Sequence, residues 1–137
     1  MFQFFAHIIC YDIWFYMIHI LLHKKLYFVH IYHHYNWKPT FLDFYTSHWV
    51  ETYSQYIGIM VPLLYYKYLY TQLLYAMIFI NVRGIMKHDE RTNFIFGNHH
   101  MLHHKYPKYN FGEYWIDYLG GTLYPNEEEY IYGLIKM

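Results

Sequence analysis

Histidine is crowded into three short stretches of this chain, HILLH at 19–23, HIYHH at 30–34 and HHMLHH at 99–104. An α-helix brings residues i, i+3 and i+4 onto one face. At 100° per residue, His19, His23, His30, His33 and His34 share a stripe roughly 100° wide. A straight helix would still hold His19 and His34 about 22 Å apart, beyond the reach of metal–nitrogen bonds of about 2.1 Å. The chain is therefore expected to bend near residues 24–28, to serve more than one ion, or to do both.

So many imidazoles cannot be buried without ligands or hydrogen-bond partners, because unpaired polar groups are costly away from water. A structural zinc site closes with four ligands. Eight or more histidines therefore imply two ions, and open positions on those ions imply chemistry. Ligand type leaves the metal open, since imidazole suits zinc, iron, copper and nickel. Iron activating O₂ is the natural candidate beside a lipid bilayer, where substrates are rich in C–H bonds. The isolated His7 reads instead as a core or interfacial histidine with a hydrogen-bond partner.

The bilayer enters through composition. Apolar residues make up 56% of the 137 and charged residues 15%, with twenty tyrosines and eleven phenylalanines, a balance skewed toward membrane proteins. Residues 2–22 are long enough to cross a bilayer core, which takes about 20 residues. They lack the basic start and small-residue cleavage site of a removable leader, so they read as a membrane helix carrying His7, Asp12 and His19. Lys24, Lys25 and Lys38 favour the cytoplasmic side for its far end. Pro39 stops any helix arriving there, and SHWVE at 47–51 reads as a loop entering a helix.

A second apolar stretch runs from Ile57 to Ile80, interrupted by Pro62, Lys67 and Gln72. A single crossing there would put the third histidine cluster on the opposite side from the first two. A turn at Lys67 instead gives two helices, 57–66 and 69–80, each about 15–18 Å long, forming a re-entrant hairpin. Residues 81–137 are water-compatible in composition, and Glu127, Glu128 and Glu129 read as a solvated tail or helix start. Zero formal charge gives no argument for a nucleic-acid partner. The single Cys10 excludes an internal disulfide and a multi-cysteine metal site. The expected fold class is all-α, an integral membrane helical protein with a histidine-rich di-metal site on the cytosolic side of short membrane helices.

Together these stretches resemble the sterol desaturase and fatty acid hydroxylase superfamily of membrane di-iron oxygenases. The family pattern H-x-x-x-H, H-x-x-H-H, a histidine after the hairpin, then H-x-x-H-H is matched by His19 and His23; His30, His33 and His34; His88; and His100, His103 and His104. DIWFYMIH, PTFLDFYTSHWVETY and YNFGEYWIDYLGGT are similar to the family's surrounding segments. HDE at 88–90 and YNFG…LGGT at 109–122 look most like sterol C-5 desaturases.

The resemblance implies a single domain over 1–137, N-terminally short relative to the family, with those nine histidines as metal ligands. It implies His48, Glu51 and Asp89 as side chains that orient ligand imidazoles, and His99 as a neighbour rather than a ligand. It further implies two iron ions, with zinc as an alternative occupant in purified material. Electrons come from NAD(P)H through a reductase and a b-type cytochrome, O₂ is the oxidant, and the substrate is a lipid or sterol. One hydrogen abstraction followed by a second gives a double bond, and oxygen return gives an alcohol. The implied location is an endoplasmic-reticulum type membrane with the metal site facing the cytosol. Two alternatives stay open: a truncated, catalytically inactive relative that binds metal, and a membrane haem protein that uses paired histidines for electron transfer.

Overall fold

The computed structural model describes residues 2–65 and 70–135, and these form helices joined by turns, with no strand. In chain order they are α1 (Phe2–Lys25), α2 (Tyr27–His30), α3 (Trp49–Met60), α4 (Tyr70–Lys87), α5 (Asn93–Phe96), α6 (His99–Lys105) and α7 (Tyr114–Gly120). Among the described residues α1 alone is long and apolar enough to cross a membrane, at 24 residues or about 36 Å.

The faces of α1 are inverted relative to a helix of a water-soluble protein. Phe2, Phe5, Ile9, Ile13, Met17 and Leu21 lie exposed, at spacings of three and four, while His7, Asp12 and His19 are buried. The long helices packed on it repeat the pattern. Trp49, Tyr53 and Ile57 of α3 and Leu74, Ile78 and Val82 of α4 face outward, whereas Glu51, Arg83 and Lys87 face inward. Ionisable groups inside and hydrocarbon outside is the arrangement a lipid environment favours.

A small apolar cluster of Ile8, Ile59, Ala76 and Ile80, flanked by Phe4, Tyr11, Tyr56 and Met77, joins α1 to α3 and α4. Gly58 permits the close approach of α3 to α1, because a Cβ there would sit 2.5 Å from Trp14 Cβ. The Trp14 indole N–H then donates to the Ser54 carbonyl at 2.7 Å. His7 Nδ1 donates to the Ile59 carbonyl at 2.6 Å, so this histidine is a partnered core group.

The chain bends between the first two histidine clusters. Lys25 ends α1, Leu26 leaves helical geometry with ψ at 35°, and α2 starts afresh. Further on, His48 caps α3, its Nδ1 accepting from Val50 N at 3.2 Å. Pro62 lies at the start of the 3₁₀ turn Val61–Leu64, which ends the α-helical ladder because proline has no N–H. α4 then brings the chain back to the histidine end, so Glu51 at the start of α3 and His88 just after α4 lie in the same pocket. The expected turn at Lys67 falls outside the described residues. The helix bounds differ from the expected 57–66 and 69–80. Thus α3 begins at Trp49, and α4 has 18 residues, about 27 Å.

That extension corrects the reading of residues 81 onward as water-compatible. Arg83 and Lys87 remain in α4 and are buried, because each meets a carboxylate. Arg83 grips Asp12 of α1 with both Nη atoms, the Nη1–Oδ2 bond being 3.1 Å. Its Nε lies 3.5 Å from Glu113 Oε1, and Lys87 Nζ donates to Glu113 Oε2. The network ties α1, α4 and the start of α7 together. Removing one member leaves an uncompensated buried charge, which costs about 3–5 kcal/mol. Arg83→Leu is therefore expected to lower unfolding stability in detergent by that order, and the Asp12→Leu/Arg83→Leu pair by less.

Candidate metal centre

The nine predicted ligands converge in two groups. His19, His23, His30, His34 and His103 form one, and His33, His88, His100 and His104 form the other. Within each group one ring nitrogen per residue lies within 4.8 Å of all the others. The bend at Leu26 lets His30 and His34 swing back onto His19 and His23. Adjacent residues serve different groups: His33 and His34 have ring centroids 5.7 Å apart with planes at 90°, and His103 and His104 6.2 Å at 81°. A bend and a division between two groups thus both occur.

Backbone carbonyls set the tautomers. His19 Nδ1 donates to the Phe111 carbonyl at 2.5 Å, His103 Nδ1 to that of Tyr109 at 2.6 Å, and His88 Nδ1 to that of Gly84 at 2.7 Å. A carbonyl only accepts, so in the neutral ring the proton sits on Nδ1 and the Nε2 lone pair points into the group. Glu51 Oε1 stands 2.8 Å from Nδ1 of His30 as a close electrostatic contact, and Gln55 Nε2 donates to that carboxyl at 3.1 Å.

The lone pairs then face one another. Nε2 of His30 lies 2.9 Å from that of His19 and 3.0 Å from that of His34, and His103 and His34 are 3.1 Å apart at the same atoms. In the second group His88 Nε2 lies 3.1 Å from both His33 and His100. A proton is a poor filler for these gaps. Burial and neighbouring imidazoles push His33, His100, His103 and His104 well below the usual histidine range. Burial first, and then nearby histidines, takes His34 to about 3, and burial takes His88 to about 4. His104 has both ring nitrogens buried without a hydrogen-bond partner among the described residues. Converging neutral lone pairs, protonation disfavoured and an orphaned imidazole together fit metal cations.

The remaining predicted residues divide. Glu51 lies against His30. His99 belongs to neither group and bonds Asp117 Oδ2 through Nε2 at 2.9 Å, the position of a neighbour. His48 and Asp89 do not orient these imidazoles. His48 caps α3, and Asp89 caps the turn Glu90–Thr92, accepting from Arg91 N at 3.0 Å and Arg91 Nε at 2.8 Å. Both precede a helical turn, and short-range capping claims their side chains.

Two functional positions escaped sequence reasoning. Asp117 is fully buried and accepts from Phe111 N and Gly112 N, each at 2.8 Å, and from Thr122 Oγ1 at 2.6 Å, fixing the loop whose carbonyl holds His19. The second is a cavity of about 260 Å³ between α1, α3 and α4. His19, His30, His33, His88 and His100 line it together with Tyr11, Phe15, Tyr56 and Ile80 and with the charged Glu51, Arg83, Lys87 and Glu113.

Helices and turns that gather nine imidazoles, seven of them buried, into two convergent groups define a protein with two candidate metal sites. The fatty acid hydroxylase family model matches residues 4–122, and the chain belongs to that family, part of the sterol desaturase/fatty acid hydroxylase superfamily. At the level the family defines, it is an oxidoreductase of the lipid hydroxylase or desaturase type. No curated protein and no solved structure matches the chain.

The depressed histidines make the metal-free fold acid-sensitive. Unfolding restores His88 from about 4 to the ordinary value near 6.5, so below pH ~6.5 the unfolded chain binds more protons and stability falls with pH. His88 alone accounts for about 3 kcal/mol. Metal-stripped protein in detergent is expected to be stable above pH ~6.5 and to lose stability progressively toward pH ~4, as read by its thermal unfolding midpoint.

Proposed function

We propose that the chain is a membrane-bound, di-iron, O₂-dependent lipid oxidoreductase that introduces a double bond or a hydroxyl group at an unactivated carbon. One observation carries this reading: histidines of both groups open onto the same cavity, whose other walls include Tyr11, Phe15, Tyr56 and Ile80. A substrate there meets both ions at once. Along α1 the cavity runs from His19 back past Phe15 to Tyr11, toward the middle of the one helix long enough to cross a bilayer. That direction suits a hydrocarbon entering from lipid.

The donor count supports an open iron site over a closed structural zinc. Right-angle ligands at about 2.1 Å lie about 3.0 Å apart, whereas tetrahedral ones lie about 3.4 Å apart. The closest pairs stand 2.9–3.1 Å apart, the other donor atoms of a group lie up to 4.8 Å apart, and one group has five imidazoles, one more than a tetrahedral zinc takes. Haem is disfavoured by the same count, because a porphyrin fills four positions on its iron and leaves two for protein. Iron held here supplies the activation of O₂ toward an inert C–H bond. The chain's own work is different. Phe111, Tyr109 and Gly84 orient the imidazoles, the inward carboxylates and cations hold the helices in register, and Tyr11, Phe15 and Ile80 exclude water from the reacting carbon. In this reading electrons arrive from NAD(P)H through a reductase and a b-type cytochrome. The histidine end of α1, next to Lys24 and Lys25, lies at the cytosolic face of an endoplasmic-reticulum type membrane.

Metal analysis of the purified full chain is expected to give close to two irons per polypeptide, and His103→Ala with His104→Ala to abolish both, since each group loses a ligand. Lipid mass spectrometry of cells making the intact chain should show an oxygen-dependent product missing with that double variant. Less than half the iron and no such product would overturn the proposal.

A further inference from the structure

The family match ends at residue 122, yet residues 123–135 are folded tightly against the histidine helix α6. Asn98, just before α6, is clasped on three atoms. Its N–H donates to the Ile131 carbonyl at 3.0 Å, its Nδ2 to the Glu129 carbonyl at 2.8 Å, and its Oδ1 accepts from Ile131 N at 2.8 Å. At the other end of α6, Lys105 Nζ donates to Glu129 Oε2 at 2.6 Å and the Tyr106 hydroxyl to Glu129 Oε1 at 3.1 Å. Gly97, with φ at +73°, makes room for this strap, since a Cβ there would meet the Ile131 carbonyl oxygen at 2.6 Å.

The strap also reaches the loop that orients the histidines. Asn110 is fully buried and adopts φ of +58°, the left-handed region where asparagine is tolerated best after glycine. Its Oδ1 accepts from Tyr124 N at 2.8 Å and from the Tyr130 hydroxyl at 3.0 Å. Its Nδ2 donates to the His99 carbonyl at 3.1 Å. On either side of it stand Tyr109 and Phe111, whose carbonyls accept from Nδ1 of His103 and His19. Both of those histidines belong to the five-histidine group. In the other group, His88 takes its carbonyl from Gly84 in α4.

We propose that Asn110, held by Tyr124 and Tyr130 of the 123–135 strap, is a positioning residue for the five-histidine metal site alone. The proposal rests on the reading that both groups hold metal. The left-handed turn at Asn110 aims two consecutive-but-one carbonyls at two ligand rings, and the strap locks that turn from outside the family's own segment. Loss of the Asn110 side chain leaves the turn held only by Asn110 N on the Thr122 carbonyl and by Phe111 N and Gly112 N on Asp117, so the Tyr109 and Phe111 carbonyls gain room to shift. His19 and His103 then lose their fixed Nδ1–H tautomer, while the four-histidine group keeps its own orienting bond.

The test is a Co²⁺ titration of the metal-stripped full chain in detergent, followed by visible absorption, which separates a five-nitrogen from a four-nitrogen Co²⁺ site. Wild type is expected to fill two sites. Asn110→Gly tolerates the same backbone conformation, and should weaken one site by about tenfold or more, the usual scale for losing an outer hydrogen bond, while leaving the other within twofold. Asn110→Asp retains the acceptor for Tyr124 and Tyr130 but loses the donor to the His99 carbonyl, and should recover part of the loss. Tyr130→Phe, a mild change on a half-buried ring, should weaken the same site by a few-fold and decides the matter if Asn110→Gly does not fold. Equal weakening of both sites, or none, overturns the proposal. A wild-type chain that takes up no Co²⁺ overturns the two-metal reading itself, and the positioning role with it.

Discussion

Neutral imidazoles whose lone pairs face one another at 2.9–3.1 Å repel, and in a buried setting water cannot relieve them. Much of the rest of the structure is arranged around that conflict. The tautomers are set from outside by carbonyls of Phe111, Tyr109 and Gly84, so the rings cannot turn away. Burial keeps protons off. What remains is a pair of cation-shaped gaps, and the helices are held in place by a separate set of charges, Asp12, Arg83, Lys87 and Glu113. Polar groups fill the inside and hydrocarbon the outside, so the molecule has the sidedness of a body immersed in lipid.

The histidines were legible in the sequence because helical spacing and metal chemistry both act on side chains that a reader can see. The bend after α1 was legible as one of two options, since a straight helix would hold His19 and His34 about 22 Å apart. The orienting groups were not. Carbonyls of Tyr109, Phe111 and Gly84 carry no residue signature, and which of them meets which ring depends on contacts 92, 6 and 4 residues apart. His48 and Asp89 were misplaced because local capping competes with any distant role, and each stands where a cap is needed.

Arg83 and Lys87 were misjudged for a different reason. Charges late in a chain read as solvent-facing when their partners are 71 and 26 residues away. One clue was available: Asp12 lies within an apolar stretch, and a carboxylate in such a setting requires a cation from elsewhere in the fold. Asp117 offered no comparable hint, because its neighbours in sequence are those of an ordinary short helix. Glu127, Glu128 and Glu129, read as a solvated tail or helix start, form a largely exposed 3₁₀ turn, and Glu129 is in addition bonded to Lys105, Tyr106 and Tyr124.

The splitting of His33 from His34, and of His103 from His104, between the two groups has a mechanical consequence. Neighbouring residues are joined by a fixed Cα–Cα step of about 3.8 Å, so two covalent rungs bridge the groups from two different parts of the chain. The separation between the two histidine groups is thereby limited by peptide geometry as well as by packing. Helix motions that widen the cavity for a bulky guest must therefore carry both groups along together.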